Sequence, residues 1–466
     1  MLKESTPDTP TGTPTDTHHR LAWLDQLAYE LFRVTGRNQL MQCLWLYNRN
    51  VDLDGLERML ERLAAISFNR LIEPSPLPWG RPRWVKAAVA LAPLEKDSEI
   101  LPRSSLLRWA NQHARTPIDP VNGPGWRMAV KQFDDGTTAV SFVGSHLILD
   151  GMGVLRAIEA AASGIELPSP YLTQGARGWL TGCMADAKQI FADAPRTVAA
   201  LARAAQASWR KPATPAHPTA VTAKGVSLKR QDKVIELPTV AVTVELQAWN
   251  ACALRLGGRT SALLPGFVAS LACHLGRRHP SDGTISLLVP FDKRLGLDDD
   301  RAIAIELRTM TVDPTGLATN LRPMDVPLKA VLREAKDQTD TLATLLPAIA
   351  WMPRALTKAF VNRMFRYQEE LPVSCSYLGT LPDELTCIDG SPCTNVFTRA
   401  VDVNVTEREL ERSSGHLVVI ASRSGQHMSL CIEAYQLDPT PTTTDRLRQI
   451  TAQTLAEFGL DAVIEA

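Results

Sequence analysis

The chain of 466 residues has no surplus of either charge: 50 Lys+Arg stand against 50 Asp+Glu, so the formal net charge is +0. Without a basic field to neutralise a row of phosphates, general nucleic-acid binding loses its main driving force. Paired cysteines are also missing. The eight cysteines (Cys43, Cys183, Cys252, Cys273, Cys375, Cys387, Cys393, Cys431) sit singly in apolar stretches, without the short paired spacings of a zinc site or a thioredoxin-like motif. They read as reduced core thiols, which places the chain in the cytoplasm. No short-period repeat is present, and no unbroken apolar run reaches the ~20 residues of a membrane span. The nearest, Leu342 to Ala359, is interrupted by Pro347, Pro353, Arg354 and Lys358. It reads as packing between lobes, with a lipid-facing surface helix and peripheral membrane contact as the second choice.

What is present is enough apolar residue, 45%, for more than one core, and a chain of this length is expected to divide into two lobes. The start, Met1 to His18, is polar and rich in Thr and Pro and reads as a disordered tail. Residues 19–210 then form an N-terminal lobe, the Pro/Thr/Ala-rich stretch 211–223 a linker, and 224–466 a C-terminal lobe. Leu40 to Tyr47 reads as a strand and Asp54 to Ala65 as a helix, from Leu56, Met59, Leu60 and Leu63. Two β-rich runs, Trp126–Phe133 and Thr137–Val143, are separated by Asp134-Asp135-Gly136, which is hairpin chemistry. Met152 to Ala162 and Trp179 to Trp209 are helical. In the second half, strands are expected at 233–236, 241–244, 284–290, 373–377, 416–422 and 428–435. Helices are expected at 245–256, at 261–275 with Thr260 as N-cap, and at 444–458 ahead of Gly459. Strands and helices mix without βαβ alternation, so the fold class is α+β.

The sharpest feature is Ser145-His146-x-x-x-Asp150-Gly151, placed at a strand-to-helix junction. A HxxxDG pattern arises by chance on the order of a few per cent of the time in such a chain, so its placement matters more than its occurrence. An imidazole at a buried strand end is held on rigid backbone, and a helix opening just beyond it aims N–H groups at developing negative charge. Histidine also titrates near neutrality, so it can take a proton from an attacking hydroxyl or amine. The alternative for His146 is a core histidine satisfied by local backbone, and for Asp150 a buried cap or ion-pair residue. His274 and His279 read as caps at a helix end, and His416 and His427 have no partner visible in the sequence.

These residues resemble the condensation-domain-like, CoA-dependent acyltransferases, and most closely their wax ester synthase/diacylglycerol acyltransferase group. The resemblance rests on Arg70-Leu71-Ile72-Glu73-Pro74, Gly80-Arg81-Pro82-Arg83-Trp84-Val85, Thr116-Pro117-Ile118-Asp119, Gly125-Trp126-Arg127 and the His146 motif, in the family's order. In the second half, Leu288 to Arg294 and Ser376 to Thr380 are similar to two further family segments. The resemblance implies two chloramphenicol-acetyltransferase-like lobes, each a mostly β sheet packed with helices, in a pseudo-dimer with an interlobe tunnel, sufficient as a monomer. It implies His146 as general base, Asp150 as a structural carboxylate paired to Arg70 or, second, Arg294, and Gly151 packed tightly beside the histidine. Ser145, Ser376, Gly379 and Thr380 would border the tunnel. No metal or resident cofactor is implied. The partners would be an acyl thioester on CoA or a carrier-protein phosphopantetheine and an alcohol or amine acceptor. A stand-alone condensation enzyme joining carrier-bound substrates, and a catalytically silent binding module, are the alternatives. The chain departs from the family in three places. Ser145 stands where a first histidine is usual, Thr260 to Leu264 lacks the Asn-Asp pair of wax ester synthases, and Asp300 to Ala304 lacks a Gly-Asn step.

Overall fold

The computed structural model describes residues 19–66, 68–88, 93–167, 169–209, 233–296, 299–337, 346–349, 373–412, 415–436 and 441–466. The expected tail, the 211–223 connector and most of Leu342–Ala359 lie outside these residues. The strands are β1 (Asn38–Tyr47), β2 (Arg70–Glu73), β3 (Arg83–Lys86), β4 (Glu95–Lys96), β5 (Trp126–Gln132), β6 (Thr138–Ser145), β7 (Thr239–Glu245), β8 (Ile285–Asp292), β9 (Ile305–Val312), β10 (Val373–Thr380), β11 (Asn395–Val403), β12 (His416–Ser424), β13 (His427–Tyr435) and β14 (Ala462–Glu465). The helices that matter below are α1 (Trp23–Thr35), α2 (Leu53–Ala65), α3 (Leu106–Ala114), α4 (Gly151–Ala162), α5 (Trp179–Trp209), α6 (Leu246–Arg255) and α7 (Thr260–His274).

Two sheets carry the architecture, which is α+β and two-lobed. The first has five strands in the order β11-β1-β6-β5-β4, the second seven in the order β14-β7-β13-β12-β10-β8-β9. The hairpin β5–β6 closes through Gly136 at φ 84, a backbone state that an unbranched Cα adopts without clash. α2 starts where the Asp52 side chain accepts the Asp54 N–H at 3.0 Å, and it buries Leu56, Met59, Leu60 and Leu63. With α4 it covers one face of the first sheet, over Trp45, Phe142 and Trp126. In the second sheet, α7 is buried on nearly every side and packs with α6 and the last helix, Thr444–Glu457. The expected cap Thr260 is instead the first helical residue of α7; Arg259 precedes it with no side-chain cap. The expected strand 233–236 is reduced to a single bridge between Val234 and Thr406.

Chain order and sheet membership part at β11. This strand comes from the second half of the chain, yet it lies antiparallel to β1, from Asn38 opposite Val403 to Leu46 opposite Asn395. The two sheets therefore share a core, in which Leu44, Leu46 and Phe397 meet Ala241 and Cys431. Behind it runs a buried polar chain: Arg399 Nε donates to Gln42 Oε1 at 2.7 Å, Gln42 Nε2 donates to Ser141 Oγ at 2.8 Å, and His113 Nδ1 lies 2.8 Å from the same hydroxyl. Burial pushes the His113 imidazole down to about 4, so it is a neutral core group at physiological pH.

Candidate active site

β6 is buried along its whole length and ends at Ser145. The chain then turns tightly: Ile148 N–H donates to the Ser145 carbonyl at 2.9 Å, and Leu147 N–H to Ser145 Oγ at 3.3 Å. Ser145 Oγ itself donates to Asn38 Oδ1 at 3.0 Å. In the place where the resemblance puts a first histidine, this hydroxyl ties the strand end to β1. His146 follows on the same rigid backbone, its N–H donating to the Gln39 carbonyl at 2.9 Å. The imidazole is half-buried. Loss of hydration lowers its pKa below the ordinary histidine value, against the opposing pull of Asp150, its own carbonyl and Asp402. The neutral, proton-accepting form is therefore favoured.

Asp150 caps α4, with Oδ1 accepting the Gly153 N–H at 2.8 Å. Its other oxygen, Oδ2, takes Arg294 Nη2 at 2.9 Å and the Ala304 N–H at 2.8 Å. Both side chains of the pair are nearly sealed from water, 3% exposed for Arg294 and 1% for Asp150. Arg70, the first-choice partner, points elsewhere. It donates to the carbonyls of Asp300 at 2.6 Å and Ile148 at 2.8 Å and to the Tyr171 hydroxyl at 2.9 Å, and its guanidinium lies 3.8 Å from the Trp84 ring centre. The reason is topological. The segment leaving β8 folds over the first lobe, so Arg294 arrives beside Asp150 from the other half of the chain. The same segment is pinned by Asp25 of α1, whose carboxylate accepts the Ala302 and Ile303 N–H groups at 2.9 and 2.8 Å.

Gly151 carries less of the packing than expected. A Cβ there would meet only the flexible end of Met41 at 3.2 Å and Leu378 at 3.5 Å. Gly153 is the tight position: a Cβ would sit 2.8 Å from Leu149 Cδ2, 3.1 Å from Arg294 Nη2 and 3.2 Å from Asp150 Oδ1. The Leu378 contact carries β10 to the first turn of α4. β10 runs parallel to β12 with a register shift between Tyr377 and Thr380, where Gly379 takes φ 83. Ser376 stays on the regular ladder opposite Ile420, and Thr380 opposite Arg423. Among the described residues, no hydrogen bond joins Ser376, Gly379 or Thr380 to His146.

Sequence reasoning missed Gly153, Asp25 and Asp402. Only Gly153 left a signal, as the second glycine of Asp150-Gly151-Met152-Gly153. Asp402 lies on β11 opposite Gln39, and it forms a cluster with His416 and Glu433 whose ligand atoms lie within 4.8 Å of one another. The cluster is already charge-matched. Arg37 Nη2 stands 3.4 Å from Asp402, His416 Nε2 stands 2.9 Å from Glu433, and the Arg399 guanidinium also acts on Glu433. A further cation would meet these neighbours, so the triad reads as an ion-pair network that holds β11 to β12 and β13. His427 likewise finds a partner, Glu245, at 3.2 Å.

No protein-family profile matches the chain, and no curated protein matches it either. Solved structures do. The first condensation domain of the calcium-dependent antibiotic synthetase, in complex with a substrate analogue, aligns with a TM-score of 0.56 at 14% identity, over 96% of this chain and 97% of that one. A further structure of that domain gives 0.54 at 12% identity, over 96% and 99%. A substituted starter condensation domain of rhizomide synthetase, in complex with C8-CoA and Leu-SNAC, gives 0.52 at 14% identity, over 95% and 94%. The chain thus has the condensation-domain fold.

Proposed function

We propose that this protein is an acyltransferase that moves an acyl group from a CoA or carrier-protein thioester to an alcohol or amine, with His146 as general base. The observation that carries this reading is the placement of His146: half-buried, held uncharged by lost hydration, and fixed by backbone at the end of a central strand. In the reaction His146 accepts the proton of the acceptor O–H or N–H as that atom attacks the thioester carbonyl. The tetrahedral intermediate collapses, the C–S bond breaks, and the imidazolium returns the proton to the departing thiolate. The thioester is already activated, so positioning and proton transfer suffice and no nucleophilic side chain or metal is required. Asp150 takes no part in that exchange. Its lone pairs are used by Gly153, Ala304 and Arg294, and its task is to hold α4 and the Arg294 segment on either side of the histidine. Ser145, Ser376, Gly379 and Thr380 would border the tunnel through which donor and acceptor approach. The complex of the rhizomide domain with C8-CoA and Leu-SNAC supports a thioester donor.

Thiol release from a panel of acyl-CoAs with pooled alcohols and amines tests the proposal. Acceptor-dependent release that falls ~10²–10⁴-fold in His146→Ala is the expected result. Equal acceptor-dependent rates in the two proteins would overturn His146 as the base, and no release above the protein-free rate with any donor would favour a silent binding module. A second reading, condensation of two carrier-bound substrates, is favoured by the likeness to condensation domains over nearly the whole chain. Turnover that requires both the donor and the acceptor on carrier proteins, with none from a free alcohol or amine, would select it.

A further inference from the structure

Down one face of β1 the side chains run Tyr47, Trp45, Cys43 and Met41, all buried in the core beneath α2 and α4. The next residue on that face, Gln39, is exposed. Its neighbours across the sheet are both polar. On one side His146 prolongs β6 by one residue, its N–H on the Gln39 carbonyl at 2.9 Å, and on the other Asp402 of β11 stands opposite Gln39 in register. Residues opposite one another on neighbouring strands share a face, so the three side chains form a row with steps of about 4.8 Å. Asp402 acts electrostatically on the imidazole, as such a row requires. Arg37, two residues before Gln39, closes the far end at 3.4 Å from Asp402. Among the described residues nothing hydrogen-bonds to the Gln39 carboxamide, which leaves an NH₂ donor and a carbonyl acceptor one strand spacing from the proposed base.

We infer that Gln39 selects the acceptor: its carboxamide N–H donates to a second polar atom of the acceptor, about 5 Å from the nucleophilic atom held at His146. This deepens the proposed transfer and rests on His146 as its base. The class of acceptor that fits is an alcohol or amine with an oxygen three carbons from the nucleophile, because an extended O–C–C–C–O or N–C–C–C–O chain spans about 5 Å. A plain alkyl acceptor laid along the row would strip water from the Gln39 carboxamide and return no hydrogen bond, which costs binding. A second charge on the acceptor gains nothing, since Arg37 already matches Asp402. Gln39 is thus a specificity-determining residue, and the proton is left to His146.

The test uses the full chain and two acceptor pairs of equal length, 3-methoxypropan-1-ol with 1-pentanol and 3-methoxypropylamine with pentylamine, in which an oxygen replaces one methylene. Binding is read by saturation-transfer NMR without donor, and turnover by thiol release from acyl-CoA. The ether member of a pair should bind about fivefold tighter and show a KM lower by the same factor, the worth of one hydrogen bond. Gln39→Met, of similar shape without the amide, should erase that preference through KM, with kcat within about twofold. Gln39→Glu should erase it too, because a carboxylate accepts but cannot donate to an ether oxygen. Gln39 is exposed, so circular dichroism and melting temperature of both variants should match the native chain. His146→Ala should keep the binding preference while losing turnover. Turnover intact in His146→Ala with the preference still lost in Gln39→Met would leave the Gln39 site standing and overturn only the proposed base. Equal binding of the two members of each pair, a preference that survives Gln39→Met, or no binding by any of the four would overturn the inference.

Discussion

Arg294 Nη2 stands 2.9 Å from Asp150 Oδ2, joining residues from opposite halves of the chain in a pair almost without contact with water. Removing the arginine leaves a carboxylate buried with only backbone N–H donors. Arg294→Met should therefore cost about 3–5 kcal/mol in urea unfolding. The double variant Asp150→Asn/Arg294→Met should recover part of that loss, since the stranded charge is gone. An additive double variant would refute a direct coupling.

At Gly153 the expected effect is steric. A methyl group there collides with Leu149 at 2.8 Å and crowds the Asp150–Arg294 pair, so Gly153→Ala should destabilise by about 1–3 kcal/mol. Gly151→Ala meets the flexible end of Met41 and touches Leu378 at ordinary contact distance, and should cost under about 1 kcal/mol. Thermal unfolding of the two variants side by side distinguishes them, and the reverse ranking would return the packing role to Gly151.

His146 should leave a signature in the pH profile. Its pKa lies below the ordinary histidine value because burial disfavours the imidazolium, so the base form persists to lower pH. The acid limb of kcat/KM for thiol release should therefore fall below pH ~6.5. An inflection at or above that value would contradict a buried, neutral base.

Asp25 predicts a pH effect on stability. Burial pushes its carboxyl up to about 6 from 3.8, with the Ala302 and Ile303 N–H groups opposing the shift. A folded-state pKa above the unfolded one means that the native chain binds the proton more tightly between these values. Stability contributed by this group is full below about pH 4 and declines as pH rises to about 6, with a slope on the order of 1 kcal/mol per pH unit. Asp25→Asn should be less stable overall, yet lack that slope in denaturant titrations across the same window.

The sequence made β1, α2, the β5–β6 hairpin and the junction before α4 legible, because each has a clean period or a turn residue that fixes it. β11 was not readable. Its interior carries Arg399 and Asp402, polar groups that belong to buried networks, and they break the alternation that marks a strand. The edge strands β9 and β14 are half-exposed and short of apolar signal. The choice between Arg70 and Arg294 for Asp150 also lay beyond local reasoning. Both side chains suit a carboxylate, and only the course of the segment between β8 and β9 decides which one reaches it. The proposed base His146 stands out in the sequence because Asp150, which acts on it in space, also lies four residues from it in the chain.

The place of β11 has a consequence for synthesis on the ribosome. β1, with the apolar run Leu40-Met41-Gln42-Cys43-Leu44-Trp45-Leu46-Tyr47, emerges early, but its partner on one side ends only at Val403. At ordinary translation rates of about 5–20 residues per second, the nascent chain spends roughly 20–70 s with that backbone edge unpaired. The first lobe is thus born with an open, hydrophobic strand, and the interval before the second half supplies its seal is when the protein most needs a chaperone.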